Sequence, residues 1–261
     1  MTSTAIILLS IIIFQSGLWF FCRGKSYAKS ASDRFFLAII AGFLTARIAF
    51  VIAMWRIYSE DVLAVVDIRD GGFNPVIGWF VGALVLLAGS YREPGILRAY
   101  LKSGILTVGL AVPMLIVTSL YSTKPSVYDF ALEDGLGNPI DLRQFPGMNV
   151  GQPYVVNLWA SWCPPCRREM PVLHHAQQTN NNITFLFVNQ SEDPDQATQF
   201  LTQQSLHLNN VFYDPYGNVA TQSGSYGLPT TLFFNADGKL VASHMGELSE
   251  ASLQHYIDRL H

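Results

Sequence analysis

The stretch that decides the fold is Tyr154-Val-Val-Asn-Leu-Trp-Ala-Ser-Trp-Cys-Pro-Pro-Cys-Arg-Arg-Glu-Met-Pro171. Its first six residues are β-branched, aromatic or aliphatic with a single amide, the pattern of a buried strand. Two cysteines two residues apart follow, and residues 167–178 then read as a helix. Working outward, further strands are expected at 183–189, 210–213 and 230–235. The last turns through Asn235-Ala-Asp-Gly238 into a hairpin partner at 239–244. Helices are expected at 195–205, 218–223 and 249–260, the last with Ser249 as its N-cap. Ahead of the strand, residues 134–141 suggest a hairpin. Strand, crossover helix and strand, then a hairpin and a closing helix, make a small α/β sandwich.

The chain before this domain has a different character. Of 261 residues half are hydrophobic, and they are unevenly placed. Residues 1–121 hold four long apolar runs, at 4–21, 35–55, 73–89 and 104–121, each near the roughly 20 residues a membrane-spanning helix needs. The fold class expected is therefore an N-terminal four-helix transmembrane region (1–121), a linker (122–126) and a C-terminal α/β domain (127–261). The first run has no positive segment before it and no small-residue cleavage site, so it is read as a retained helix, not a cleaved signal. The first loop carries Arg23, Lys25, Lys29 and Arg34, and the third carries Arg92, Arg98 and Lys102. The second carries Glu60, Asp61, Asp67 and Asp70 against Arg56 and Arg69. Positive loops stay inside, so both termini face the extracytoplasmic side. Arg47 lies within the second run. An intramembrane charge is costly, and two readings stand: a side chain reaching an interface or a neighbouring helix, or a contact to a lipid headgroup or partner.

The α/β half is acidic. From Pro125 onward Arg143, Arg167, Arg168, Lys239 and Arg259 face thirteen Asp and Glu. Nucleic-acid binding needs the opposite sign and is excluded as an expectation.

The cysteine pair has three readings. A structural zinc site needs four ligands; Cys22 is assigned to the other end of a membrane helix, and His174 and His175 share the predicted helix of Cys166. No metal is expected. A structural disulfide with a two-residue gap closes so small a ring that it restrains little of the unfolded chain. The redox reading is favoured. Cys163 sits where a strand ends and a helix begins, and free amides and the helix dipole there favour an anion. Such sites lower a thiol from about 8.5 toward 3.5–7.5, and the thiolate is the nucleophile. Pro164 and Pro165 suit the first helical turn. Cys163 is then the attacking thiol, and Cys166, one turn later, resolves the mixed disulfide.

Trp159-Ala-Ser-Trp-Cys-Pro-Pro-Cys166, Pro171 and Tyr226-Gly-Leu-Pro-Thr-Thr231 together resemble the thioredoxin superfamily, and within it the TlpA/ResA-type membrane-tethered thiol-disulfide oxidoreductases. That resemblance implies a thioredoxin-like fold over 127–261 and a redox-active Cys163–Cys166 disulfide with no other cofactor. It implies a cis-proline at Pro229 and a substrate-binding surface at Leu228, Pro229 and Trp162. Glu169 matches an acidic residue that tunes cysteine pKa values and proton transfer; the plainer reading is a solvated helix glutamate. Asn157 stands where cytosolic thioredoxins keep a buried aspartate. A second, shorter resemblance lies upstream. Ala46-Arg-Ile-Ala-Phe-Val51 and Asp67-Ile-Arg-Asp-Gly-Gly-Phe73 are similar to the front part of prolipoprotein diacylglyceryl transferases. After Phe73 the chain reads Asn74-Pro-Val-Ile-Gly78, without the histidine of that family, and no histidine precedes His174. A non-catalytic, transferase-like anchor is expected.

The resemblance favours a reductase of selected protein disulfides at the outer face of the inner membrane, in the periplasm, with cytochrome c maturation as one setting. Potentials in this superfamily run from about −270 to −120 mV, so an oxidase or isomerase, or a thiol-based metal or haem chaperone, remains the alternative. Cys22 alone cannot carry a disulfide across the bilayer, so a separate membrane electron donor is expected to reduce the domain.

Overall fold

The computed structural model describes residues 3–91, 93–121, 125–145 and 151–260. Most of the expected linker, residues 122–124, lies outside the described residues. The chain divides into two compact units, 1–55 with 73–123, and 56–72 with 124–261. The second unit thus takes in the loop between the second and third apolar runs, which composition alone grouped with the membrane region.

In the first unit all four apolar runs are helical: α1 (Ser3–Cys22), α2 (Ala28–Ala53), α4 (Pro75–Ser90) and α5 (Pro94–Tyr121), with the single turn α3 (Trp55–Tyr58) after α2. Two described helical segments, Ala28–Ala53 and Pro94–Thr118, are long and apolar enough to cross a membrane; the apolar parts of α1 and α4 are shorter. The four-span expectation therefore narrows to two candidates by length and composition. Helix α5 begins ten residues before the expected start at 104, because Arg98 and Lys102 interrupt the apolar run without interrupting the helix. Helices α2 and α4 meet at glycine: a Cβ on Gly42 would lie 2.8 Å from the Gly78 carbonyl oxygen. Phe14 stacks on Phe35 at 4.7 Å between centroids, and the Tyr100 hydroxyl donates to the Ala31 carbonyl at 2.7 Å. Arg47 is buried on α2, with its guanidinium carbon 5.8 Å from the centre of the Phe73 ring.

The second unit is a seven-stranded sheet in the order β2-β1-β5-β4-β3-β6-β7. The strands are β1 (Leu132–Glu133), β2 (Pro139–Ile140), β3 (Tyr154–Trp159), β4 (Thr184–Gln190), β5 (Val211–Asp214), β6 (Thr230–Phe234) and β7 (Leu240–Met245). Strands β3, β4 and β5 run parallel; β6 returns antiparallel beside β3, and β7 beside β6. Every residue of β3, β4 and β6 is buried, because side chains alternate between two covered faces. Val155, Phe185, Phe187 and Phe233 enter one core. Val156, Leu158, Leu186, Val188, Leu232 and Phe234 enter the other. The first core is closed by α6 (Pro164–Thr179), α7 (Pro194–Gln203) and α9 (Glu250–Ile257); α8 (Asn218–Ser223) adds Val219 to the second. The expected 134–141 hairpin is the β1–β2 pair, closed by the Asp134 side chain, which accepts from the amides of Leu136 and Asn138. Ser249 caps α9 by accepting from the Ser252 amide.

Candidate active site

Strand β3 delivers the chain to the cysteines through Ala160-Ser-Trp162. The Glu192 carboxylate pins this segment: it accepts from the Ser161 amide at 2.9 Å, from the Ser161 hydroxyl, and from the Asn189 amide group at 2.7 Å. Cys163 then adopts extended backbone as the N-cap of α6, with Pro164 and Pro165 in the first turn. Its Sγ accepts the Cys166 amide at 3.3 Å. A sulfur so placed faces the free amides and positive end of a 16-residue helix, which stabilises a thiolate there. The helix starts three residues earlier than residue periodicity alone places it, since proline at N1 gives no apolar signal, and it continues through Pro171.

Cys163 and Cys166 are joined as a disulfide, with Cα atoms 5.3 Å apart. Cys163 is 3% exposed and Cys166 is fully buried. Leu228 packs against the same apolar cluster as both. The Leu228–Pro229 peptide bond is cis, and Pro229 is buried, its carbonyl accepting the Gly246 amide at 2.9 Å. Trp162 is 62% exposed, and Tyr216 and Tyr226 are exposed as well.

Glu169 lies one turn beyond Cys166 on the same face of α6. It is 1% exposed, so it is not the solvated glutamate of the plainer reading. One carboxylate oxygen accepts from the Asn157 side-chain amide at 2.8 Å; the other accepts the Leu248 backbone amide at 2.9 Å. Burial pushes its pKa up, the amides of Leu248 and Asn157 pull it down, and the Glu247 charge adds a little upward, for a value of about 8. A carboxyl with that pKa mostly holds its proton at neutral pH and lies in the range of an acid–base group. Asn157 holds this group and donates also to the Thr231 hydroxyl at 3.0 Å. The sequence shows the asparagine but not this role, because its partners are 12 and 74 residues away. Next to the buried acid, the exposed Arg168 pairs with Glu247 at 2.5 Å. Among the described residues no cluster of three or more His, Cys, Asp or Glu is arranged to hold a metal.

The Redoxin family pattern matches residues 123–257. Thiol-disulfide oxidoreductase ResA of Halalkalibacterium halodurans is 30% identical over 142 residues, 54% of this chain and 78% of that protein. Thiol:disulfide interchange protein HelX of Rhodobacter capsulatus is 34% identical over 110 residues, 42% of this chain and 61% of that protein. Thiol:disulfide interchange protein DsbE of Escherichia coli is 31% identical over 126 residues, 48% of this chain and 66% of that protein. The family pattern leaves residues 1–122 unmatched, so the transferase resemblance there rests on its own motifs. A disulfide at the N-terminus of a helix, in a sheet of this order, with a cis Leu228–Pro229 bond whose leucine packs on the same core, agrees with these likenesses: the chain belongs to the Redoxin family, as a thiol-disulfide oxidoreductase of the ResA and DsbE type.

Proposed function

We propose that this chain is a membrane-anchored, extracytoplasmic reductase of selected protein disulfides, with Cys163 as nucleophile and Cys166 as resolving thiol. The observation that carries the reading is the cysteine pair at the mouth of α6 above a buried carboxyl. In the reduced protein the Cys163 thiolate attacks one sulfur of a client disulfide. A mixed disulfide forms, and the client's other sulfur leaves as a thiolate. Cys166 then loses its proton, with the minority of Glu169 that is ionised at neutral pH as the acceptor, and attacks the Cys163 sulfur. The client departs as a dithiol carrying two electrons, and the Cys163–Cys166 disulfide remains. A separate membrane dithiol carrier returns the two electrons, because the other cysteine, Cys22, has no second thiol beside it in the sequence.

Pro164-Pro165 between the cysteines, with no histidine there, favours the reducing side over an oxidase. Leu228, cis-Pro229 and Trp162 form the client-binding rim in this reading, and apocytochrome thiols are one client class. The N-terminal helices serve as an anchor of transferase-like descent. Acid-quenched alkylation of growing cells tests the direction. Cys163 and Cys166 are expected mostly as free thiols at rest; a mostly oxidised pair would move the assignment to an oxidase.

A further inference from the structure

Residues 67–72, in the loop between α2 and α4, are built into the same compact unit as the active site. Asp70 is 4% exposed. Its Oδ2 accepts from the Ser249 hydroxyl at 2.9 Å and from the Tyr58 hydroxyl at 2.9 Å, and its Oδ1 accepts the Gly72 amide at 3.0 Å. Its backbone carbonyl accepts from the Ser252 hydroxyl at 2.7 Å. Gly71, at a positive φ of 63°, lies so close to His244 that a Cβ there would sit 2.8 Å from the imidazole ring. The segment is thus seated on the turn that leads into α9. Leu248, the residue before Ser249, gives its amide to Glu169.

We propose that Asp70 is a positioning residue for Glu169, holding the Leu248–Ser249 turn so that the Leu248 amide stays on the buried carboxylate. This rests on the role given to Glu169 above. A second link runs parallel. Arg69, paired with Asp67 at 2.5 Å, feels the charge of Glu247, the carboxylate that pairs with Arg168. The loop therefore meets the turn that holds Glu169.

The groups facing Glu169 are the Asn157 and Leu248 amides and the Glu247 carboxylate, with Cys166 three residues before it on its own helix. Those facing Asp70 include Tyr58, Ser249, the Gly72 amide, Ser252 at its backbone carbonyl, and the His244 ring, which feels its charge. Asp70 itself is not among the groups that shift Glu169, so its influence passes through the turn. Because the Leu248 amide stabilises the charged carboxylate, loosening that turn raises the pH at which Glu169 ionises.

The test is infrared difference spectroscopy on the full-length protein in detergent, following the protonated-carboxyl band that Glu169→Gln removes. In the wild type this band should fade with a midpoint near 8. Asp70→Ala should move the midpoint upward by about half a unit or more. Ser249→Gly should do the same; glycine is tolerated at N-caps, and this change leaves the Asp70 charge in place, so a shift there cannot come from an altered field. It also decides the matter if Asp70→Ala does not fold. A purely structural role for the contact would lower stability without moving the midpoint. An unmoved or lowered midpoint in Ser249→Gly overturns the proposal while leaving the role of Glu169 intact. A wild-type spectrum with no band that depends on Glu169 overturns both.

Discussion

Glu169 links pH to both stability and chemistry. Its folded pKa is raised from 4.5 to about 8. A raised pKa means the folded state holds the proton more tightly than the unfolded chain does. The associated stability is fully present below about pH 4.5 and is lost as pH rises through about 8. The oxidised protein should therefore lose stability steadily between about pH 5 and 8, at up to about 1.4 kcal/mol per pH unit. Glu169→Gln, which holds no titratable proton, should flatten that slope; urea unfolding at a series of pH values reads it. An equal slope in the variant would place the titration on another group. At the same scale, Cys163→Ser should remove disulfide turnover altogether, since the hydroxyl does not ionise under these conditions, whereas Cys22→Ser should leave it unchanged in an insulin-reduction assay.

At the scale of elements, most of the sheet was legible because buried strands and amphipathic helices leave a period in the sequence. β3, β4, β6 and the α9 N-cap lie where composition places them. The start of α6 was less legible, because Cys163 and the two prolines carry no periodic signal. The burial of Glu169 was not legible at all: its two anchors are Asn157, 12 residues away, and Leu248, 79 residues away. The same holds for Glu192, which reads as a loop carboxylate but organises the segment before the cysteines by accepting from Ser161 and Asn189. Glu192→Ala leaves those donors without their partner in a half-buried site. It should cost about 1–3 kcal/mol of stability, measured by denaturant unfolding, and slow client reduction by loosening the entry to α6. A change confined to activity, with stability intact, would contradict a structural role for this carboxylate.

At the scale of the molecule, the two halves rest on different grounds. The α/β half is a Redoxin domain by its fold, its cysteine geometry and its relatives. Among the described residues the N-terminal half holds four apolar helices, two of them long and apolar enough to span a bilayer, and loop charge is the basis of the orientation proposed for it. The loop at 56–72 escaped the sequence reading because an irregular segment has no period, and its docking depends on Asp70, Ser249 and Ser252 meeting across 179 and 182 residues. The topology makes a direct prediction. In intact cells a membrane-impermeant thiol reagent should label Glu60→Cys, placed in a Cys22→Ser background, and should not label Lys25→Cys in the same background until the membrane is broken. The reverse pattern would put the redox domain in the cytoplasm.

The most direct measurement of the central claim is covalent capture. Full-length Cys166→Ala, reduced and mixed with a disulfide-bonded client protein, should accumulate a mixed disulfide that non-reducing mass spectrometry maps to Cys163 and that dithiothreitol releases. An adduct on Cys22, or no adduct while the variant still reduces its client at the wild-type rate, would contradict the account.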